Sequence, residues 1–367
     1  MKRREFLKQA GAGASLAAVA GAAQAQQQQG VRWRMASMWP KSLDAMQGSA
    51  DTFARRVGQI TEGRFEVRSH AAGEIVPPLQ VFDAVQAGTI EMAHVLSSFF
   101  FGKNPAFAFD AGVPFGLNTR QQFAWMFDGG GLELMRDVFR QYNILPIPVG
   151  NVGVQMGGWF RKEIKTVADL KGLKFRIGGF GGTILAKLGA VPQQIPAGEI
   201  YGALEKGVID GAEWIGPYDD EKLGLHKVAK FYYTPGWWEG SAQVTLLVNL
   251  KSWEALSQPQ RDAVDCAAAE QCLRMIAKYD AKNPEALRRL VGGGAQLRQF
   301  PRAVLDACYK ATLEVFDDYS AKSADFKKVY ESWAKFRDEE NLWFRVAEHA
   351  LDSYRYAIGT KSPAAGK

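Results

Sequence analysis

Histidine and cysteine are scarce in this chain, and that scarcity removes whole classes of chemistry. Of 367 residues only four are histidine, His70, His94, His226 and His349. They lie far apart without zinc-ligand spacing, so neither a His-based metal centre nor a catalytic triad is supported. Cysteine occurs three times. Cys266 and Cys272 sit in an alanine-rich helical stretch, on different faces of one helix, and with Cys308 are read as buried thiols. A bridge from Cys266 or Cys272 to Cys308 is the alternative in an oxidising compartment. Beyond the N-terminus no segment reaches about 18 uninterrupted apolar residues, so nothing else reads as membrane-spanning. No basic run exists either: 45 basic and 39 acidic residues are interspersed, and nucleic acid is not an expected partner.

What is present begins with an export signal. "MKRREFLKQAGAGASLAAVAGAAQAQ" has a basic start, an apolar stretch and Ala23-Gln24-Ala25, a small-x-small cleavage pattern, so residues 1–25 are read as a signal peptide. Arg3-Arg4-Glu5-Phe6-Leu7-Lys8 matches the twin-arginine pattern, with an ordinary Sec signal as the alternative. Either route places the mature chain in the periplasm. Lys2, Arg3, Arg4 and Lys8 leave with the signal, as does Glu5, so the formal charge of +6 falls to +3.

The length and a 47% apolar, 23% charged composition suit a globular protein of two domains. Strand-like runs at residues 31–38, 64–69 and 91–98 alternate with helical ones at about 42–61 and 79–87, a β-α-β-α-β half. A second series starts near Ile144, with strands at about 153–160, 173–177 and 208–215 and helices at 183–188 and 197–206. "AQVTLLVNL", residues 242–250, is a further strand. No G-x-G-x-x-G follows the first strand, so a dinucleotide signature is missing. Two α/β lobes fit better than one continuous sheet. Residues 301–357 are helical with breaks expected near Ser323 and Asp338, and carry an aromatic-rich apolar stripe that must be buried on the lobes or on another copy of the chain.

Candidate chemistry concentrates between Gln155 and Glu239. Arg176 in "LKFRIGGFGG" ends a strand before a glycine-rich turn, where a guanidinium projects into a crevice and can grip a carboxylate by two parallel hydrogen bonds; a surface ion pair is the alternative. "GGFGG" lacks the Lys-Ser/Thr of a P-loop, so its glycines are read as allowing close backbone approach. Ser97, Ser98, Phe99 and Phe100 end a first-lobe strand, and Phe100 is the candidate wall residue. Trp237 and Trp238 either close the cleft or brace the hinge. Glu199 is read as a first-turn helix acid and Asp210 as a turn acid.

The stretch from Phe160 to Trp214 resembles the core motif of the TRAP-transporter solute receptors, the DctP-like family. The resemblance is carried by Ala168-Asp169-Leu170-Lys171-Gly172-Leu173-Lys174-x-Arg176, Leu188-Gly189-Ala190, Pro196-x-Gly198-Glu199, Ala203-Leu204 and Gly207-x-x-Asp210-Gly211-Ala212-Glu213. It implies an α/β, two-lobed periplasmic binding protein with a ligand cleft between lobes and a long C-terminal helical tail. On that pattern lobe 1 is residues 31–150 with 244–285, lobe 2 is 151–243 with about 286–320, and 321–367 is the tail, a dimerisation element. "GVQMGGWF", "GAEWIGPYDD" and "YYTPGWWEG" are similar to the receptors for small 2-oxo or 2-hydroxy acids, pyruvate, lactate or longer 2-oxoacids. The resemblance then implies that Gln155, Glu213, the main-chain oxygen of Trp214 and Glu239 surround Na+ or Ca2+, which oxygen-only ligands suit. Gln155, Arg176, Trp214 and Phe100 would touch the solute, and Arg176 would pair with its carboxylate. The implied partners are the membrane permease subunits and a second copy of the chain. An exported oxoacid-processing enzyme with Glu213 or Glu239 as base, and a ligand sensor, are the competing classes; no nucleophile context supports the enzyme. Replacing Arg176 by Ala is expected to abolish binding with melting nearly unchanged.

Overall fold

The computed structural model describes residues 30–358, so the signal peptide and twin-arginine motif lie outside the described residues. The chain opens with β1 (Val31–Ser37), α1 (Gln47–Ile60), β2 (Phe65–His70), α2 (Val81–Gln86) and β3 (Met92–Val95), the alternation that periodicity predicts. Both β2 and β3 pair in parallel with β1, the arrangement that crossover helices permit. Short helices α3 (Ala108–Ala111), α4 (Thr119–Phe127) and α5 (Gly131–Arg140) lead to β4 (Ile144–Asn151). The second series holds β5 (Trp159–Phe160), β6 (Lys174–Arg176), α6 (Gly179–Lys187), β7 (Val191–Gln193), α7 (Ala197–Glu205), β8 (Gly211–Ala212), α8 (Pro217–Leu223) and β9 (Phe231–Thr234). After it come β10 (Gln243–Asn249), α9 (Leu250–Glu254), α10 (Gln258–Gly292), β11 (Gln296–Gln299), α11 (Arg302–Lys322), α12 (Ala324–Val346) and α13 (Glu348–Ala357).

Two sheets result, ordered β2-β1-β3-β10-β4 and β11-β9-β5-β8-β6-β7, a two-lobed α/β architecture with a helical tail. After the second series β10 returns to the first sheet, antiparallel to β3 and β4. The chain therefore crosses between sheets on both sides of that series, and the crossings flank the cleft. The 35-residue α10 packs on β4 and α1 of one sheet's layer and on α8 of the other. At 1.5 Å per residue it runs about 50 Å, long enough to tie the two together.

Three local expectations change. The strand expected at 153–160 shrinks to Trp159–Phe160, because Gly158 sits at φ +83, where the chain turns so close to Ala212 that an added Cβ would lie 2.7 Å from its carbonyl oxygen. The strand expected at 208–215 shrinks to Gly211–Ala212, since from Glu213 onward the backbone turns into the cleft. In the tail α12 runs unbroken through Asp338, and the break falls at Ala347, with φ −90 and ψ −83. All three cysteines are free; Cys272 and Cys308 are buried as expected, but Cys266 is exposed, on the solvent face of α10.

One buried acid has a consequence for stability. Asp110 on α3 is fully buried and accepts from Ser97 Oγ at 2.5 Å, Thr245 Oγ1 at 2.7 Å and Gln243 Nε2 at 3.3 Å. Burial outweighs these bonds and raises its carboxyl from 3.8 to about 6. The folded chain thus keeps a proton that the unfolded chain releases near pH 4. The stabilisation is full below pH 4 and is lost as pH rises through 6, about 3 kcal/mol for a shift of this size. Calorimetric scans of the wild type and Asp110→Asn from pH 4 to 7 should show the wild type losing stability relative to the variant across that window.

Candidate functional site

β6 and β8 run parallel with Arg176 opposite Ala212, so the next residue, Glu213, emerges beside the arginine. Its N–H donates to the Arg176 carbonyl at 3.0 Å. Arg176 Nη1 then donates to Glu213 Oε1 at 2.5 Å and to the Glu213 carbonyl at 2.8 Å, while Nε donates to the Ile195 carbonyl at 3.0 Å. Both side chains are buried, Arg176 at 1% and Glu213 at 6% exposure. The guanidinium lies 4.9 Å from the Trp214 ring centre and 5.8 Å from that of Phe99. One nitrogen, Nη2, is buried without a partner.

The second acid comes from the segment before β10. Gln155 Nε2 donates to Glu239 Oε2 at 2.6 Å, and the backbones of the two segments are joined by Gln155 N–H to Glu239 O at 3.4 Å and Gly236 N–H to Gln155 O at 3.0 Å. Gln155 is 4% exposed and its Oε1 has no partner. Burial, then the neighbouring Glu213, push the Glu239 carboxyl well above its ordinary range, against the pull of Ser98 and Arg176. Burial also raises Glu213, opposed by Arg176.

Gln155, Arg176, Glu213, Trp214 and Glu239 line one cavity, with an empty volume of about 530 Å³ counting its mouth. Phe100 does not: it lies in the first-lobe core, 5.1 Å from the Phe82 ring, and Phe99 takes the wall. The reason is a 3₁₀ turn at Ser97–Phe100, which breaks the strand alternation and sends Phe99 and Phe100 to other sides than a strand would. Trp238 lines the cavity, whereas Trp237 stacks on Phe115 at 5.4 Å. Glu199 sits in the first turn of α7 and Asp210 accepts from Lys174 N–H, both scaffold roles. The two-point grip expected of Arg176 is not open, because Nε and Nη1 are engaged and only Nη2 is left.

Sequence reasoning missed Trp39, which lines the cavity and follows β1, at the strand end where α/β folds place ligands. Its Nε1 donates to His94 Nδ1 at 2.8 Å. Burial lowers His94 to about 3, so the imidazole stays neutral and can accept.

Among the described residues no three His, Cys, Asp or Glu side chains group as a metal site. Two carboxylates and an amide oxygen with no partner do converge, with the Trp214 main chain beside them. Hard oxygen donors of this kind fit Na+ or Ca2+ and do not suit zinc.

A cavity between two α/β lobes, holding one free anion donor and a set of oxygen ligands, defines a small-solute binding protein. The chain belongs to the DctP family, bacterial extracellular solute-binding protein family 7, which matches residues 35–323. It is 47% identical over 360 residues, 96% of this chain and 99% of the other, to the monocarboxylate 2-oxoacid-binding periplasmic protein of a Nostoc species. It is also similar to a TRAP transporter solute-binding protein of Bordetella bronchiseptica, a dimer with calcium and picolinate in one site and the other apo. That similarity is 57% identity and a TM-score of 0.89 over 90% of this chain and 98% of the other. A TRAP periplasmic solute-binding protein of Pseudoalteromonas atlantica with bound sodium and pyruvate is 36% identical, with a TM-score of 0.86 over 88% and 99%.

The buried pair overturns one expectation. Removing Arg176 leaves Glu213 buried without its partner, which costs about 3 kcal/mol or more, so Arg176→Ala should melt well below the wild type. Adding Glu213→Gln to it should restore most of the loss, as thermal unfolding of the three proteins would show.

Proposed function

We propose that the chain is the extracytoplasmic receptor of a TRAP transporter, binding a small 2-oxo or 2-hydroxy monocarboxylate together with Na+ or Ca2+. The observation that carries this reading is the pairing, in one cavity, of a free Arg176 Nη2 with a bare Gln155 Oε1. The first is a donor awaiting an anion, the second a ligand awaiting a cation. Similarity to the oxoacid-binding relative and to the calcium- and sodium-bearing structures supports it.

Gln155 Oε1, the Glu213 and Glu239 carboxylates and the Trp214 carbonyl would hold the cation. When bound, the cation supplies the positive charge that lets an anionic solute sit beside two acids. Arg176 Nη2 orients the solute carboxylate, and Trp39, Phe99, Trp214 and Trp238 exclude water around its carbon chain. Glu213 faces two partners in turn: the arginine holds it in the ion pair, and a cation would draw its second oxygen.

The lobes, residues 31–150 with 244–285 and 151–243 with about 286–320, close on the solute, and the closed form is what the permease would read. Contacts across the cleft support closure. Asp44, which follows β1, accepts from Tyr218 on α8 at 3.0 Å and pairs with Lys222 of the same helix. Gln194 Nε2 donates to the Phe99 carbonyl at 3.1 Å. Export through the twin-arginine signal to the periplasm completes the reading. The tail supports a homodimer, since Leu342, Trp343, Val346, Leu351, Tyr354 and Tyr356 on α12 and α13 are exposed.

Calorimetry on the mature chain with pyruvate, lactate and 2-oxobutyrate should give binding with Na+ or Ca2+ present. Chelation of Ca2+ in sodium-free buffer should remove it, and none of these acids should be turned over. A folded protein that binds none of them rejects the reading. Sedimentation should show a dimer that Trp343→Glu with Leu351→Glu converts to monomer without loss of solute binding.

A further inference from the structure

A second buried acid stands behind the cation ligands rather than among them. Asp220, at 1% exposure, lies in α8 just after the Glu213-Trp214-Ile215 turn. One of its oxygens, Oδ2, accepts from Trp159 Nε1 at 3.0 Å and Tyr232 Oη at 2.7 Å. Those donors sit on neighbouring strands β5 and β9, their rings stacked at 4.0 Å and 13°. The other oxygen, Oδ1, accepts from the Ile215 N–H at 3.3 Å. On its far side, the Ile215 carbonyl accepts from Met156 N–H at 2.9 Å, next to Gln155. The peptide joining Trp214 to Ile215 is thus held by its nitrogen, while its carbonyl belongs to Trp214.

From this geometry we infer that Asp220 is a positioning residue, which fixes the Trp214–Ile215 peptide plane and so aims the Trp214 carbonyl at the cation. This inference rests on the cation reading given above. The peptide is trans, Thr234–Pro235 being the cis bond of the described chain, and a trans peptide points its N–H and C=O in opposite directions. An acceptor on the N–H side therefore sets where the carbonyl can face. Only a carboxylate meets the need: three N–H or O–H groups converge on both oxygens, and an amide would turn an NH2 toward one of them. Trp159 and Tyr232 hold the carboxylate against the sheet, so the aim of a loop peptide is fixed by rigid strands. The neighbouring Asp219 is the natural contrast. It is equally buried and bonded to Tyr279 Oη at 2.6 Å, but it makes no bond to the turn.

The sequence contains one Trp-Ile step, at 214–215, so ¹³C-carbonyl tryptophan with ¹⁵N-isoleucine labelling gives one carbonyl–nitrogen cross-peak. Titrating the mature wild type with CaCl2 should move that peak. The calcium dissociation constant should rise at least tenfold in Asp220→Asn and stay within twofold in Asp219→Asn. Wild-type affinity in Asp220→Asn, or an equal loss in Asp219→Asn, overturns the assignment while leaving the cation site standing. A wild type that binds neither calcium nor sodium, with pyruvate present, instead removes the cation reading, and this inference with it. Should Asp220→Asn not fold, hydrogen exchange at the wild-type Ile215 amide decides. Protection with and without CaCl2 supports the bond, and free exchange overturns it.

Discussion

The Arg176–Glu213 pair is the interaction on which the rest of the site depends. A guanidinium and a carboxylate withdrawn this far from water are costly, and their mutual attraction offsets that cost only with near-ideal contact and further hydrogen bonds. The parallel register of β6 and β8 supplies the contact, and the carbonyls of Ile195 and Glu213 satisfy two more N–H groups. Strand pairing sets the arginine's side of the contact, and Glu213, the first residue past β8, is held to it by its N–H bond to the Arg176 carbonyl. The pair also fixes which donor is left over: with Nε and Nη1 engaged, Nη2 is the guanidinium nitrogen without a partner.

From this pair the geometry propagates to both lobes. Helix α6 starts three residues after Arg176, and at Gly179 an added Cβ would sit 3.0 Å from the Ser98 carbonyl oxygen. Glycine there brings the second lobe up to the first at the point where Ser98 and Phe99 line the cavity. Gln155 and Glu239 stand on two of the three crossings between sheets, so segments that connect the lobes also line the cavity.

Much of the site was legible because it follows strand ends and local motif spacing. Arg176 closes a short strand ahead of a glycine turn, and Glu213 ends the Gly-x-x-Asp-Gly-Ala-Glu run, so both announce themselves in one dimension. Gln155 and Glu239 were legible only through the family resemblance, since nothing local distinguishes a ligand glutamine from a surface one. What failed depended on three-dimensional context. Phe99 and Phe100 exchange places because a 3₁₀ turn replaces the expected strand. Nothing local marks Asp110 and Asp220 as buried, because the partners that enclose them, Thr245, Gln243, Trp159 and Tyr232, are distant in sequence. The α12 break falls at Ala347 rather than Asp338 because Glu339, Glu340, Leu342 and Arg345 are good helix formers that carry the helix past the aspartate. Even the alternation of β-α-β-α-β, which was right, could not show that β10 returns to the first sheet.

The pattern of burial also explains why an apolar cavity wall and a highly charged floor coexist. Trp39, Trp214 and Trp238 lower the local dielectric, which strengthens every charge interaction below them and raises the penalty for any charge without a partner. Glu239 answers by shifting toward its protonated form, and Glu213 by taking the arginine. Beside the two acids, Gln155 Oε1 has no partner at all. A monovalent or divalent cation with an anionic solute would offset the charge of the acids and give Gln155 Oε1 a partner. A neutral solute would leave the acids as they are, and an anion alone would add repulsion. Selectivity for the cation–anion couple therefore follows from where the protein has withdrawn water, before any side chain recognises the shape of the acid.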